Sequence, residues 1–133
     1  MELQVGVKII LQNKEGKYLV VLRSAIKYPD AGAQWEVVGG RIKPGTSLMQ
    51  NLKREVMEET SLQITGEPKL LAAQDILKSS KHIVRLTYIG SASGEVKLSD
   101  EHTGYKWLDL EEILALDPID PFLKEVLDKF NPN

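Results

Sequence analysis

Three glutamates lie close together in the segment that follows a pair of glycines. Glu55, Glu58 and Glu59 fall within five residues, shortly after Gly39 and Gly40. Residues three or four apart are neighbours on a helix, and like charges there cost roughly 0.2–0.5 kcal/mol per pair. A hard divalent cation reverses that repulsion, because carboxylate oxygens are the ligands that magnesium prefers. The spacing therefore marks this segment as a candidate metal site.

The expected position of these carboxylates on a helix supports the same hypothesis. With about 100° per residue and Glu55 at zero, Glu59 lies at about 40° and Glu58 at about 300°. The apolar residues of the segment fall between about 20° and 120°, so the carboxylates border the face that must pack on a sheet. The alternative is a glutamate-rich helix whose charges face water and pair with Lys53 and Arg54.

Glycines precede this helix where the chain turns into it. Gly39 and Gly40 end a short apolar strand, and Gly45 lies in the following turn. Glycine permits positive φ and lets the backbone approach a ligand closely. An ordinary tight turn is the alternative, so the glycines indicate a ligand site only in combination with the carboxylates.

Together these residues resemble the Nudix box, written G-x5-E-x7-R-E-U-x-E-E-x-G-U with U an apolar residue. Five residues separate Gly40 from Thr46, and seven residues separate Thr46 from the segment REVMEETSL, Arg54 to Leu62. Two positions of this stretch, Gly40–Leu62, depart from the pattern. Thr46 replaces the first glutamate, and Ser61 replaces the late glycine.

The similarity to Nudix proteins continues outside the box. An apolar strand ends in Arg23, Trp35 precedes the glycines, and the late segment SDEHTGYKW joins an acidic residue to an aromatic one. The resemblance implies an α/β fold, the Nudix-type α/β/α sandwich with a mixed curved sheet between helices, as a single domain over residues 1–133. It also implies hydrolysis of a nucleoside diphosphate linked to another moiety, a nucleoside triphosphate or related nucleotide, with Mg²⁺ or Mn²⁺.

The resemblance further implies a set of metal ligands. Glu55 and Glu59 would be the principal ligands, and Glu58 would be an additional one, directly or through water. The backbone carbonyl of Gly39 or Gly40 would add an oxygen. A bound divalent ion would make water a better nucleophile, and a nearby carboxylate would accept its proton.

Other residues take their expected roles from the same resemblance. Arg54 would orient the glutamates. Glu101 would be a ligand or the general base, the alternative being a surface glutamate in a polar loop. Arg23 and Arg41 would hold phosphate oxygens or be structural, and Trp35 would stack on a base or belong to the core. The implied catalytic set is Glu58, Glu59, Arg54 and Glu101.

The two departures keep other functions open. Thr46 removes a negative charge from the box, and Ser61 stands where glycine eases a left-handed turn. Because the arginine and three glutamates remain, an active hydrolase is the favoured hypothesis. The second is a catalytically weak Nudix-fold module that binds a nucleotide as a sensor or partner domain. The third is a structural domain with a solvated acidic helix.

Composition limits which classes of protein and which partners are expected. The chain has 133 residues, a net charge of −2 and no cysteine, which indicates neither a nucleic-acid binder nor a disulfide or thiolate site. No apolar run approaches the ~20 residues that span a bilayer. We expect a cytoplasmic protein that acts on a small-molecule nucleotide, without nucleic-acid or membrane partners, and a homodimer stays open. His82 and His102 show no paired ligand spacing, so no zinc site is predicted.

The order of predicted elements gives the scaffold for these residues. Apolar alternation and turn residues predict strands, and capping residues predict helices. The capping box Ser47–Gln50 opens the glutamate helix, Asp109 opens a short helix, and Asp120 with Pro121 opens a C-terminal helix. Mixed strands and helices in this order predict an α/β domain with a helix packed on the sheet. Strands are predicted at Leu3–Leu11, Lys17–Arg23, WEVVGG, Lys69–Leu77, His82–Ala92 and Gly104–Leu110.

Overall fold

The computed structural model describes residues 1–130. Within them, seven strands form one sheet and three helices pack on it. The last three residues of the predicted domain lie outside the described part. The strands are β1 (Glu2–Gln12), β2 (Tyr18–Arg23), β3 (Trp35–Glu36), β4 (Val38–Arg41), β5 (Gln63–Leu77), β6 (Lys81–Ser93) and β7 (His102–Leu108). The helices are α1 (Leu48–Thr60), α2 (Leu110–Leu114) and α3 (Pro121–Lys129).

The long strand β1 organises the sheet. It pairs in parallel with β6 from Glu2 to Gln12 and antiparallel with β4 along its middle, from Gly6 to Ile9. At Gln12 it also pairs with β2, which in turn carries β3 and β7. The sheet is therefore mixed and curled, and β4 delivers the glycine pair to its centre.

Helices cover both faces of this sheet, as the predicted sandwich requires. Alternation along β1 sends Val7 and Ile9 to one face and Ile10 to the other. The first face packs on Leu52 and Val56 of α1. The second face packs on α2 and α3 through Ile113, Leu123 and Leu127. The α/β/α fold predicted from the sequence is confirmed.

The ends of α1 follow its sequence signals. Ser47 and Gln50 form the predicted capping box, in which each side chain accepts a hydrogen bond from the other residue's backbone amide. At the C-terminus Ser61 adopts the left-handed conformation, with φ 63°. A serine thus occupies the conformation that glycine adopts without steric cost. The left-handed conformation ends the helix, while the Ser61 amide still donates to the carbonyl of Met57.

Three sequence predictions of strand position need correction. β5 begins at Gln63, well before the predicted Lys69, because the chain pairs with β6 on both sides of an irregularity around Pro68. The segment WEVVGG forms two strands, since β3 pairs with β2 and β4 pairs with β1. β7 ends at Leu108 because Asp109 leaves the sheet to cap α2.

The described residues contain no helix that is long and apolar enough to cross a membrane.

Candidate functional site

Two contacts attach the glutamate helix to the glycine pair. The Glu59 Oε2 atom accepts a hydrogen bond from the Gly39 backbone amide at 3.1 Å, and the Glu59 residue is only 3% exposed. Glu55 lies so close to Gly40 that a Cβ there would come within 2.8 Å of the Glu55 carboxyl carbon. The absence of a side chain at Gly40 therefore lets the Glu55 carboxylate approach β4, and the Gly39 amide holds the Glu59 carboxylate there.

Arg54 holds the outer side of this carboxylate group. Its Nη1 lies 3.0 Å from Glu55 Oε1 and 3.6 Å from Glu58 Oε2, while Nη2 donates to Asn51 Oδ1 at 2.9 Å. The Glu58 side chain is 58% exposed, so it lies at the margin of the group. Arg54 thus contacts both Glu55 and Glu58, and the orienting role that the resemblance implies stays a prediction.

A second group approaches Glu59 from the start of β7. Ligand atoms of Glu59, Glu101 and His102 all lie within 4.8 Å of one another. The His102 Nδ1 atom lies 3.7 Å from Glu59 Oε1, is buried, and has no hydrogen-bond partner among the described residues. A nitrogen and two carboxylates converging in this way could hold a divalent cation.

Glu36 anchors the far side of His102. Its Oε2 lies 2.9 Å from His102 Nε2, and its Oε1 accepts a hydrogen bond from Arg23 and lies 3.7 Å from Lys8 Nζ. Although burial opposes ionisation, Lys8, His102 and Arg23 together hold the pKa of Glu36 well below its ordinary value. Sequence analysis missed Glu36 and Lys8, since each is an isolated charge within an apolar strand pattern. An inward-facing charge in such a strand was the available signal.

The electrostatics around Glu59 match a cation site. Burial raises the pKa of Glu59 well above its ordinary value, with the charge of Lys8 opposing the shift and the carboxylates of Glu55 and Glu101 adding to it. A divalent cation would offset both the burial and the repulsion. The unpaired His102 nitrogen and the steric fit of Glu55 against Gly40 point the same way, so these residues fit a resident metal ion.

A cavity of about 550 Å³ opens beside these carboxylates. Among the predicted site residues, it is lined by Gly39, Gly40, Glu59, Glu101, Arg23 and Arg41. Glu55, Glu58 and Arg54 lie on α1 and are not among the lining residues. Burial, and then the nearby Glu101 carboxylate, raise the pKa of Tyr28, another lining residue.

Trp35 is not brought to this cavity. The register of β3 places it against the second core, and Lys106 Nζ lies 5.2 Å from the centre of its ring. Its backbone amide and carbonyl bond to Pro118 and Asp120, at the approach to α3. The expectation that Trp35 contacts the substrate is therefore not supported by its position, and the core alternative describes it better.

The other end of the cavity has a different chemical character. Arg85 forms an ion pair with the buried Asp120, and its guanidinium carbon lies 5.5 Å from the centre of the Phe122 ring. Ile76 and Ile83 complete this wall. The cavity therefore joins an acidic end at β4 to an arginine, aromatic and aliphatic end at α3.

Comparison with known proteins places this arrangement in a class. The structure combines a curled mixed sheet, helices on its faces and carboxylates beside a glycine pair. The NUDIX domain family model matches residues 2–130, so the chain belongs to that family. The family resemblance and the predicted class, a Nudix hydrolase acting on phosphoanhydride bonds, are thus confirmed.

Individual relatives are distant in sequence and close in fold. The nucleoside triphosphatase NudI of Escherichia coli O17:K52:H18 is 27% identical over 119 residues, which cover 81% of this chain and 83% of the relative. The MutT protein from Methanosarcina mazei superposes with a TM-score of 0.85 at 25% identity, over 96% of this chain and 92% of that one. A MutT NUDIX hydrolase from Burkholderia pseudomallei superposes with a TM-score of 0.84 at 20% identity, over 98% and 100%.

Proposed function

We propose that this protein is a divalent-metal-dependent pyrophosphohydrolase that cleaves a phosphoanhydride bond of a small nucleotide. One observation carries the proposal. The carboxylates of Glu55 and Glu59 are fixed against Gly40 and Gly39 at one end of a cavity whose other end presents Arg85 over an aromatic ring. The cavity thus offers an acidic place for cation-bound phosphates and a flat, partly apolar place for a base.

The carboxylates of α1 would hold Mg²⁺ or Mn²⁺. Glu55 and Glu59 would be the main ligands, Glu58 an outer one, and a carbonyl of Gly39 or Gly40 a backbone ligand. When bound, such an ion neutralises phosphate oxygens and makes water more acidic. Arg54 keeps Glu55 in place through its contacts with Glu55, Glu58 and the helix.

Two arginines are placed to bind phosphate oxygens. Arg41 follows the glycine pair on β4, is exposed and lines the cavity. Arg23 lines the same cavity, and Glu36 holds its guanidinium through one nitrogen, which leaves other N–H donors for a ligand. A fork of donors suits a phosphate group better than a point charge does.

The proton from the attacking water needs an acceptor in the cavity. Glu101 and Glu59 are the candidates, because both carboxylates line it. Glu101 has two candidate roles, general base or further cation ligand, since Glu59 is buried and already accepts the Gly39 amide. Glu58 and Arg54 then act by shaping the carboxylate group and not by moving a proton.

The relatives guide the substrate class. NudI is named a nucleoside triphosphatase, which favours a nucleoside triphosphate for this chain also. Other nucleotide pyrophosphates stay open as substrates. A single domain and a cytoplasmic location stay predictions, and a homodimer stays open.

The alternative function is a nucleotide-binding module of weak activity. It was motivated by Thr46 and Ser61, and the structure gives Thr46 a structural use. The Thr46 hydroxyl donates to the Lys43 carbonyl and accepts from Asn51, each at 2.7 Å. Thr46 is exposed and bonded within its turn. We infer that replacing the family's glutamate by Thr46 removes one outer carboxylate and leaves Glu55 and Glu59 undisturbed.

The test is a turnover assay on nucleoside triphosphates, nucleotide-sugars, ADP-ribose and dinucleoside polyphosphates, with Mg²⁺ and with Mn²⁺. Glu59→Gln is the loss variant, and Glu67→Gln, on the exposed part of β5, is the matched control. We expect metal-dependent release of phosphate or pyrophosphate from one class, kept in the control and reduced at least about a hundredfold in Glu59→Gln. Nucleotide binding with wild-type turnover no faster than that of Glu59→Gln would favour the binding module.

A further inference from the structure

His102 occupies an unusual position for a histidine outside any expected metal motif. Its side chain is 2% exposed, and both ring nitrogens face carboxylates. Nε2 lies 2.9 Å from Glu36 Oε2, and Nδ1 lies 3.7 Å from Glu59 Oε1, beyond hydrogen-bond distance. Nδ1 is thus a buried polar atom without a hydrogen-bond partner in the described part of the chain.

The surroundings of Glu36 determine which ring nitrogen carries a proton. Arg23 donates to Oε1 of Glu36, and Lys8 lies 3.7 Å from the same atom, so this carboxylate is ionised and can only accept. His102 Nε2 must therefore donate to Glu36. In the neutral ring this leaves a lone pair on Nδ1, directed toward the carboxylates of Glu59 and Glu101.

A lone pair facing two ionised carboxylates is repulsive unless a proton or a metal cation lies among them. The arrangement Glu36–His102 is also the one by which a carboxylate fixes the tautomer and orientation of a metal-binding histidine. We propose that His102 Nδ1, together with Glu59 and Glu101, forms a nitrogen-containing cation site that prefers a first-row transition ion such as Mn²⁺ over Mg²⁺. The inference rests on the proposed function and deepens it, because Glu59 is shared with the carboxylate site on α1.

The donor set gives the expected selectivity. Magnesium takes oxygen ligands almost exclusively, whereas imidazole nitrogen binds transition ions. A set of two carboxylates and one imidazole thus adds affinity for Mn²⁺ that it does not add for Mg²⁺. The opposing interpretation is a doubly protonated His102 that bridges Glu36 and Glu59 as an ion pair, with no metal-binding role.

Pulsed electron paramagnetic resonance of the Mn²⁺-loaded full chain distinguishes a metal-bound His102 from a doubly protonated His102. The chain has two histidines, so labelling with ¹⁵N-histidine and replacing His82 by Gln leaves His102 as the one labelled imidazole. His82 is a suitable control because its ring lies at the surface beside Asp75. We expect nuclear modulation from a directly bound imidazole nitrogen in the wild type and in His82→Gln, with the isotope pattern following the label.

A second measurement uses the two amide replacements of His102. His102→Gln keeps a donor toward Glu36 and removes the inner ligand, whereas His102→Asn offers an amide oxygen near the Nδ1 position. By calorimetric titration we expect His102→Gln to lose about tenfold or more in Mn²⁺ affinity while Mg²⁺ affinity changes by less than about threefold. The Mn²⁺ affinity of His102→Asn should lie between those of the wild type and His102→Gln.

Wild-type protein that binds Mn²⁺ and turns over nucleotide, but shows no imidazole modulation, would overturn the His102 site and leave the proposed function intact. Absence of both divalent binding and turnover would instead remove the proposed function. Because the spectrum of the wild type decides the question, a His102 variant that fails to fold does not prevent the test.

Discussion

The carboxyl group of Glu55 occupies the space where a side chain on Gly40 would begin. A Cβ built on Gly40 would lie 2.8 Å from both the carboxyl carbon and Oε2 of Glu55. Gly40 is therefore required because Glu55 of α1 packs over it, and not because its backbone adopts a conformation that only glycine favours. Gly39 differs, because its φ of 149° and the nearby backbone of β1 exclude a side chain there for reasons of the fold itself.

Gly40→Ala should consequently weaken metal binding without unfolding the protein. The new methyl group meets the far end of the Glu55 side chain, which can move to another rotamer and leave the site. We expect divalent-metal affinity, measured by calorimetry, to fall by about tenfold or more, and the free energy of unfolding of the metal-free protein to change by less than about 1 kcal/mol.

Gly39→Ala is the matched control. Its Cβ would come within 2.0 Å of the Val7 carbonyl oxygen, a backbone atom in the centre of the sheet. We expect a loss of several kcal/mol in unfolding free energy. Equal destabilisation by the two alanines would contradict the role assigned to Gly40.

Glu59→Gln should stabilise the metal-free protein while abolishing its response to metal. The buried Glu59 carboxylate lies among Glu55, Glu101 and a histidine nitrogen, so replacing it by a neutral amide removes repulsion and keeps an acceptor for the Gly39 amide. We expect a rise in melting temperature of roughly 3–6 °C without divalent ions, which corresponds to about 1 kcal/mol.

The metal response provides the second half of this prediction. A cation that binds only the native state at about a hundred times its dissociation constant adds about 2.7 kcal/mol, so Mg²⁺ or Mn²⁺ should raise the melting temperature of the wild type. Glu67→Gln should behave as the wild type does under both conditions. A metal-induced shift that survives in Glu59→Gln would show that Glu59 is not a ligand.

The sequence sufficed for the helix and its carboxylates because their signals are local. The capping box of Ser47, the spacing of Glu55 and Glu59, and the glycine pair all lie within one continuous stretch, so local rules predict their proximity. The cap of α3 by Asp120 was predicted for the same reason, from a single residue next to a proline.

The rest of the site depends on contacts that no local pattern encodes. Glu36 meets His102 across 66 positions of sequence, because β2 pairs with both β3 and β7. Strand pairing between distant segments, and not spacing, decides which side chains share a face. Trp35 is a further example. The resemblance implies that it stacks on a base or belongs to the core, and only the register of β3 shows that it packs against the second core.

Thr46→Val should loosen the turn that precedes α1. The hydroxyl of Thr46 bonds to the Lys43 carbonyl and to Asn51, whose own oxygen accepts from the Lys43 amide and from Arg54. Valine keeps the shape and removes both bonds, so we expect a loss of about 1–2 kcal/mol in urea unfolding. Thr46→Ser retains the hydroxyl and should lose less than about 0.5 kcal/mol. A larger loss in Thr46→Ser than in Thr46→Val would contradict this and place the role of Thr46 in its methyl group.

The ion pair of Arg85 and Asp120 gives a prediction at the opposite end of the cavity. Their side chains are 15% and 3% exposed, and Asp120 Oδ1 also accepts the Phe122 amide at the start of α3. Arg85→Met leaves the buried Asp120 carboxylate without its main partner, which costs 3–5 kcal/mol in comparable cases, and we expect about 3 kcal/mol here. The lower end applies because Arg23 also lies near enough to interact with Asp120.

Adding Asp120→Asn to Arg85→Met keeps the helix cap and removes the charge, so the double variant should regain about half of the loss or more. Chemical denaturation of all four proteins of the cycle measures this coupling. Additive losses in the double variant would mean that the pair is not coupled, and that Arg85 contributes to stability through its packing on Phe122.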